Sequence, residues 1–264
     1  MKRTPNNSAE LMISPEEKFR FDLEGYLVVK NALSNEEVSE MNRIADKIYN
    51  EDYDEKGLRS RHYISRCGAP FQSLIDHPAA LPYLLEFLGP KFRIDHDYNM
   101  FMIKGSAHGR IHGGPAMETG VEEDHWYRCH KGVIRNGLMV FSYCLTPTGP
   151  GDGGFICVPG SHKSNFLMDI PEEVRLQERD ADYVVQPKAD AGDLIIFTEA
   201  LLHGTRAWTA DHERRALLYK YSPGHSSWNQ NYYRPEDYPE ATEQQLRIMA
   251  APSVGSRPDS VQAE

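Results

Sequence analysis

Apolar and polar positions alternate with a helical period in the first third of the chain and with a strand-like rhythm after it. Ser14-Pro15-Glu16-Glu17 reads as an N-cap, a proline in the first turn and a capping-box glutamate. These predict a short helix that ends near Gly25. The β-branched run YLVVK (26–30) predicts a strand. Ser34 and Glu37 then cap a second helix, whose apolar positions Val38, Met41, Ala45 and Ile48 fall on one face. A third helix, PAALPYLLEFLG (78–89), is closed by Gly89.

From residue 92 the runs shorten and become rich in β-branched and aromatic residues, with Gly, Pro and Asp between them. Strands are predicted over 92–104, 138–145, 154–160, 182–187, 192–197 and 215–222. Helices followed by many spaced strands imply a mainly β fold, a barrel or sandwich with a helical layer outside. Residues 235–249 predict a terminal helix. The organisation expected is a disordered tail over 1–13, one domain over 14–250 and a polar tail over 251–264.

At 264 residues and 40% hydrophobic content, the chain can bury one good core. Its net charge of −10, with basic residues scattered, argues against nucleic acid or an anionic membrane as the main partner. No apolar run approaches the roughly 20 residues needed to cross a bilayer. The opening MKRTPNNSAE lacks the apolar core of a secretory signal. Cys67, Cys129, Cys144 and Cys157 show no CxxC spacing and are too sparse for a disulfide scaffold. A reduced cytoplasmic protein acting on a small molecule is expected.

Of eleven histidines, most have an ordinary reading as surface or hydrogen-bonded residues. His62, His77, His212 and His225 lie in polar or turn sequence, and His96 sits between Asp95 and Asp97. His203 differs: it follows the buried-type run AGDLIIFTEALL, and Arg214 opens the next strand. If those strands were adjacent and antiparallel, an imidazole and a guanidinium would share one cavity. That pairing suits a metal-chelating acid, with the metal at one end and the arginine fork on the distal carboxylate. Thr205 would share the face of His203 in an extended segment. The other reading is a structural ion pair of Arg214 on the rim with Asp211, and spacing alone does not choose between them. His112 lies in HGRIHGGPAM, just past a strand-like run, with Gly114 two residues later.

Three stretches, FDLEGYLVVKNALSNEEV, RNGLMVFSYCLTPTGPGDGGFICVPGSHKSNF and AGDLIIFTEALLHGTRAWTADHERRALLYKYSP, carry a resemblance to a known family. Over roughly residues 19–223 the chain resembles the phytanoyl-CoA dioxygenase family of iron(II)- and 2-oxoglutarate-dependent oxygenases. The resemblance implies a double-stranded β-helix, of the jelly-roll or cupin-like kind, flanked by N-terminal helices. It further implies metal ligands at His112 and His203, and 2-oxoglutarate clamped by Arg214 with help from Thr205. Hydroxylation of a small organic substrate, with release of succinate and carbon dioxide, is the activity it implies.

One departure stands out: family members usually carry His-x-Asp, and Gly114 occupies the aspartate's place. A loop carboxylate (Glu118, Glu122, Glu123 or Asp124) would fill the gap, or His125 or His130 would, or the position would stay open to water, chloride or bromide. The last arrangement resembles iron halogenases, in which His-x-Gly or His-x-Ala replaces His-x-Asp, and makes halogenation the alternative activity. A non-catalytic β-barrel binding module is a further alternative. His162 matches a family turn and is expected to be structural, Lys104 has no assigned role, and Trp126, Tyr127 and Trp208 are candidate pocket walls.

Overall fold

The computed structural model describes residues 12–49, 53–114 and 125–262. Helix α1 (Pro15–Glu24) starts at the Ser14 capping box and ends on Gly25, whose φ of 81° permits the left-handed turn into strand β1 (Tyr26–Val29). Helix α2 (Asn35–Ile48) starts at the Ser34 box and buries Val38, Met41 and Ala45. After a two-residue strand β2 (Leu58–Arg59) come the single-turn helix α3 (Ala69–Gln72) and helix α4 (Leu81–Leu88). The strand-rich part follows as β3 (Phe92–Met102), β4 (Gly109–His112), β5 (Tyr127–His130), β6 (Val133–Asn136), β7 (Met139–Cys144) and β8 (Gly154–Cys157). The single-turn helix α5 (Glu172–Arg175), strands β9 (Leu194–Thr198), β10 (His203–Arg206) and β11 (Arg214–Pro223), and helix α6 (Glu243–Met249) complete the order.

The strands form an antiparallel six-stranded sheet in the order β1-β9-β7-β11-β3-β2, a three-stranded sheet β4-β10-β8, and the separate hairpin β5-β6. This is the expected mainly β architecture of two layered sheets with helices outside. The central strands of the large sheet are apolar on both faces, because both are covered. On one face Leu194, Ile196, Leu217 and Tyr219 pack with Phe21, Met41, Leu84 and Phe87 from the helices. On the other, Ile195, Phe197, Ala216 and Leu218 pack against Phe155 and Cys157 of the small sheet. The rings of Phe155 and Phe197 lie 4.6 Å apart across that inter-sheet space.

Two expectations change. Residues 182–187 form no strand, only an isolated bridge in which Val185 and Cys157 exchange backbone hydrogen bonds of 2.8 and 2.9 Å. Pro187, without an N–H, cannot extend the ladder. Of the segment expected as a polar tail (251–264), the described residues 251–262 dock on the body through Arg257 and Ser260. Arg257 is buried and donates to the carbonyls of Arg247, Ala250 and Ala251 at the end of α6, capping groups that helix geometry leaves orphaned. Ser260 adds hydrogen bonds to the backbone of Pro90 and Phe92. The expected tail over 1–13 falls almost wholly outside the described residues.

His162 is structural in this fold. Its Nε2 donates to the Asp22 carbonyl at 3.2 Å, its ring meets Tyr127 edge-on at 4.6 Å, and it is buried. Burial, aided by Lys163, pushes the imidazole down to about 4. The unfolded chain therefore binds a proton that the folded chain refuses between pH 6.5 and about 4, so stability falls as pH drops through that window. The loss should reach about 3 kcal/mol at full separation of the two states. Urea unfolding at pH 7 and pH 4.5 checks this: His162→Asn should lower stability at pH 7 but flatten the pH dependence relative to the native chain.

Candidate active site

The two strands that carry the predicted histidines are neighbours in the small sheet, and the register places His112 directly opposite His203. Side chains on directly opposed residues share a face, and the two imidazole centroids are 4.4 Å apart. Each Nδ1 points at a backbone carbonyl: His112 at Arg110 (3.0 Å) and His203 at Leu201 (2.8 Å). A carbonyl only accepts, so each Nδ1 carries a proton and Nε2 is the nitrogen that could ligate a metal. Such backbone contacts fix the tautomer and orientation that a metal-ligating histidine needs. Burial and the neighbouring His112 depress His203 to about 3, which keeps its imidazole neutral.

Glu199 stands beside this pair. It follows the end of β9 on the same face as Ile195 and Phe197, so it continues into the inter-sheet space, where it is 2% exposed. Its Oε1 accepts from Lys220 Nζ at 2.6 Å, while Oε2 lies 3.7 Å from His203 Nε2 and 3.9 Å from His125 Nε2. One ligand atom from each of His112, Glu199 and His203 falls within 4.8 Å of the others. Burial pushes the Glu199 carboxyl up, but Lys220, His203 and His125 outweigh it and hold the group well below the usual carboxylate range. Two imidazoles and one carboxylate are the donor set of a divalent first-row metal site, so these residues fit iron(II).

Sequence reasoning passed over Glu199. The signal was a glutamate inside the apolar run LIIFTEALL, since a charge placed in a buried-type run needs a partner there. His125, one of the expected substitutes, reaches the edge of the site, stacked on Trp228 at 4.6 Å. His130 does not, being exposed on the β5-β6 hairpin. Glu118, Glu122, Glu123 and Asp124 lie outside the described residues.

Arg214 and His203 are not on adjacent strands as expected; β10 belongs to the small sheet and β11 to the large one. They share a cavity because the sheets face each other. Arg214, Ala216, Leu218 and Lys220 alternate along β11 toward the inter-sheet space, and Arg215 points to the opposite face. Arg214 is buried, lies against Gly154 of β8, and contacts Met102 Sδ at 3.4 Å. Among the described residues no carboxylate pairs with it. Asp211, its suggested rim partner, pairs with Lys104 at 2.7 Å, which also places that lysine on the exposed surface. A buried guanidinium without a protein carboxylate is fitted to an anionic ligand, such as the distal carboxylate of 2-oxoglutarate. Thr205 points to the same region, its Oγ1 3.9 Å from Met100 Sδ, next to Met102 on that face of β3.

The aromatic candidates do not line this space. Trp208 is fully buried with its Nε1 donating to the His212 carbonyl, and Tyr127 donates to the Asp22 carboxylate while packing near Phe21. Trp126 is covered by the guanidinium of Arg128 at 4.9 Å. A separate apolar cleft of about 490 Å³, lined by Val158, Phe166, Leu167, Ile170 and Leu202, adjoins the site through Leu167, which touches Gly114.

Comparison with known proteins bears on these groups. The family model for phytanoyl-CoA dioxygenase (PhyH) matches residues 21–216. HygX from Streptomyces hygroscopicus, crystallised with nickel and 2-oxoglutarate, has a similar fold: the TM-score is 0.73 at 22% identity, covering 82% of this chain and 90% of that one. SnoK, a non-heme alpha-ketoglutarate-dependent carbocyclase from nogalamycin biosynthesis, superposes with a TM-score of 0.62 at 17% identity over 84% of this chain and 87% of its own. Dioxygenase af480 of Aspergillus fumigatus is 30% identical over 79 residues, a match that spans 30% of this chain and 24% of that protein. The chain therefore belongs to the phytanoyl-CoA dioxygenase family.

Proposed function

We propose that this enzyme hydroxylates a small organic substrate, with iron held by His112 and His203 and 2-oxoglutarate clamped by Arg214 and Thr205. The observation that carries the reading is the facing of two centres across one dry space. Two imidazoles stand on the small sheet, and a buried arginine with no carboxylate partner among the described residues stands on the large one. Bound iron and 2-oxoglutarate would supply the oxidant: one oxygen atom of O₂ enters the substrate C–H bond, and the other leaves in succinate as carbon dioxide is released. The protein's part is to bind, orient and exclude water. Phe155, Phe197 and Leu218 keep the space between the centres apolar, and the cleft beside Leu167 offers an approach for a substrate with an apolar portion. Halogenation would need the coordination place beside His112 left to a halide, and the Glu199 carboxylate, with a ligand atom within 4.8 Å of those of both histidines, favours the hydroxylase reading.

Turnover against a small-molecule library, scored by succinate and by a product 16 mass units heavier, tests the assignment. A product carrying chlorine or bromine instead would replace it. Losing either histidine should abolish tight iron(II) binding while the fold persists, since neither side chain is needed for strand pairing. Anaerobic titration of His112→Ala and His203→Ala checks this, with circular dichroism as the control. His125→Ala losing iron while His112→Ala keeps it would reassign the ligand.

Arg214→Lys exchanges a planar fork for a point charge. It should weaken 2-oxoglutarate binding by about 2–5 kcal/mol, as expected for disrupting a buried charged hydrogen-bonded pair. Arg215, which instead pairs with Glu213 and Asp46, should tolerate the same change with unaltered 2-oxoglutarate affinity. Calorimetric titration of both variants distinguishes them, and equal losses would remove Arg214 from its role.

A further inference from the structure

The backbone at position 114 disfavours the side chain that the family pattern puts there. Gly114 has φ of +77°, in the left-handed region, and a Cβ on it would come within 2.7 Å of Leu167 Cδ1. Gly113 is tighter still: with φ of +117°, its Cβ would collide with the Leu201 carbonyl and lie 3.0 Å from that of Glu199. The N–H of Gly114 donates to the Glu199 carbonyl at 2.9 Å. Two consecutive residues without side chains thus let the end of β4 lie directly on the backbone of 199–201.

The donor set makes a second, independent point. Both Nδ1 atoms donate to backbone carbonyls, which leaves Nε2 as the nitrogen each ring offers to the site. Oε2 of Glu199 approaches His203 Nε2 at 3.7 Å, and one ligand atom of each of His112, Glu199 and His203 lies within 4.8 Å of the others. Two imidazoles and a carboxylate converging at this range are the donor set that a divalent cation holds together. Lys220 does not take that place, because it engages the other oxygen, Oε1. Its own position is fixed by β11, where it sits opposite His96 of β3 and Val140 of β7.

We propose that Glu199 is the third protein ligand of the metal, standing in for the missing His-x-Asp carboxylate, and that Lys220 is the positioning residue that presents Oε2. The inference rests on the iron reading given above and deepens it. Two histidines and one carboxylate restore the donor number and charge of a facial triad. With Oε1 held by Lys220, Glu199 binds through one oxygen, and the place that Gly114 leaves beside His112 is filled by protein rather than halide.

The test measures cobalt(II) binding and its visible absorption, anaerobically and without 2-oxoglutarate, on the full chain. Glu199→Gln should weaken the metal by more than the roughly 10- to 100-fold typical of losing an outer-shell partner. Because that change strands Lys220, the charge-free pair Glu199→Gln/Lys220→Met is measured beside it, with unfolding curves confirming the fold; it should show the same loss. Bromide should leave the native cobalt bands unmoved and shift those of the Glu199→Gln protein. Lys220→Met should displace the bands, and Lys220→Arg should bring them back toward native. Native-like affinity in both Glu199 variants, or native bands moved by bromide, overturns the inference alone, provided His112→Ala and His203→Ala still lose the metal. A native protein that binds no cobalt overturns the underlying iron reading too. Unchanged bands in Lys220→Met would remove the positioning role from that lysine.

Discussion

A three-stranded sheet closed over the inner face of a six-stranded one leaves a thin apolar space, and every charge set into it must find a partner there. This constraint organises the molecule. Phe155, Phe197, Ala216 and Leu218 exclude water from the gap, which makes an uncompensated charge expensive. Yet the strands insert Glu199, Lys220, Arg214 and His203 into it, all buried or nearly so. Glu199 and Lys220 neutralise each other. Arg214 has no carboxylate among the described residues, and the two histidines gather with Glu199. The guanidinium and the His112–Glu199–His203 cluster mark two ends of one gap, each suited to the partner proposed for it above.

The geometry that separates those ends comes from alternation along β11. Arg214 and Lys220 share the inner face with Ala216 and Leu218 between them. Arg215, one residue away, is turned to the helical layer and works there with Glu213, Asp46 and Asn42. One position of slip would exchange these roles, which is why the extensive pairing of β11 with both β3 and β7 matters for function.

The site also shows how a change in one segment constrains another. A side chain at position 113 would push the segment after β4 away from residues 199–201. That approach brings the backbone of Glu199 against Gly114, and with it the carboxylate beside the histidine pair. Glycine here is the condition for the contact and not merely the loss of a ligand.

Much of this was legible in the chain alone. Capping boxes at Ser14 and Ser34 set the starts of α1 and α2, since caps act through residues three apart and need no tertiary context. Most strands announced themselves by composition and punctuation, and His112, His203, Thr205 and Arg214 were singled out by their settings and by family pattern. The exceptions share a cause. Residues 182–187 have strand-forming side chains but only one bridge to the small sheet, and Arg257 docks because orphaned carbonyls at the end of α6 happen to be within reach. Glu199 looked like an ordinary residue of an apolar run until β9, β10 and β11 were assembled around it. Sequence fixes which groups alternate along a strand, because that depends on bonded geometry alone. Which strands face each other across a gap depends on the packing of the whole chain, and only that packing placed a glutamate, a lysine and two histidines around one point.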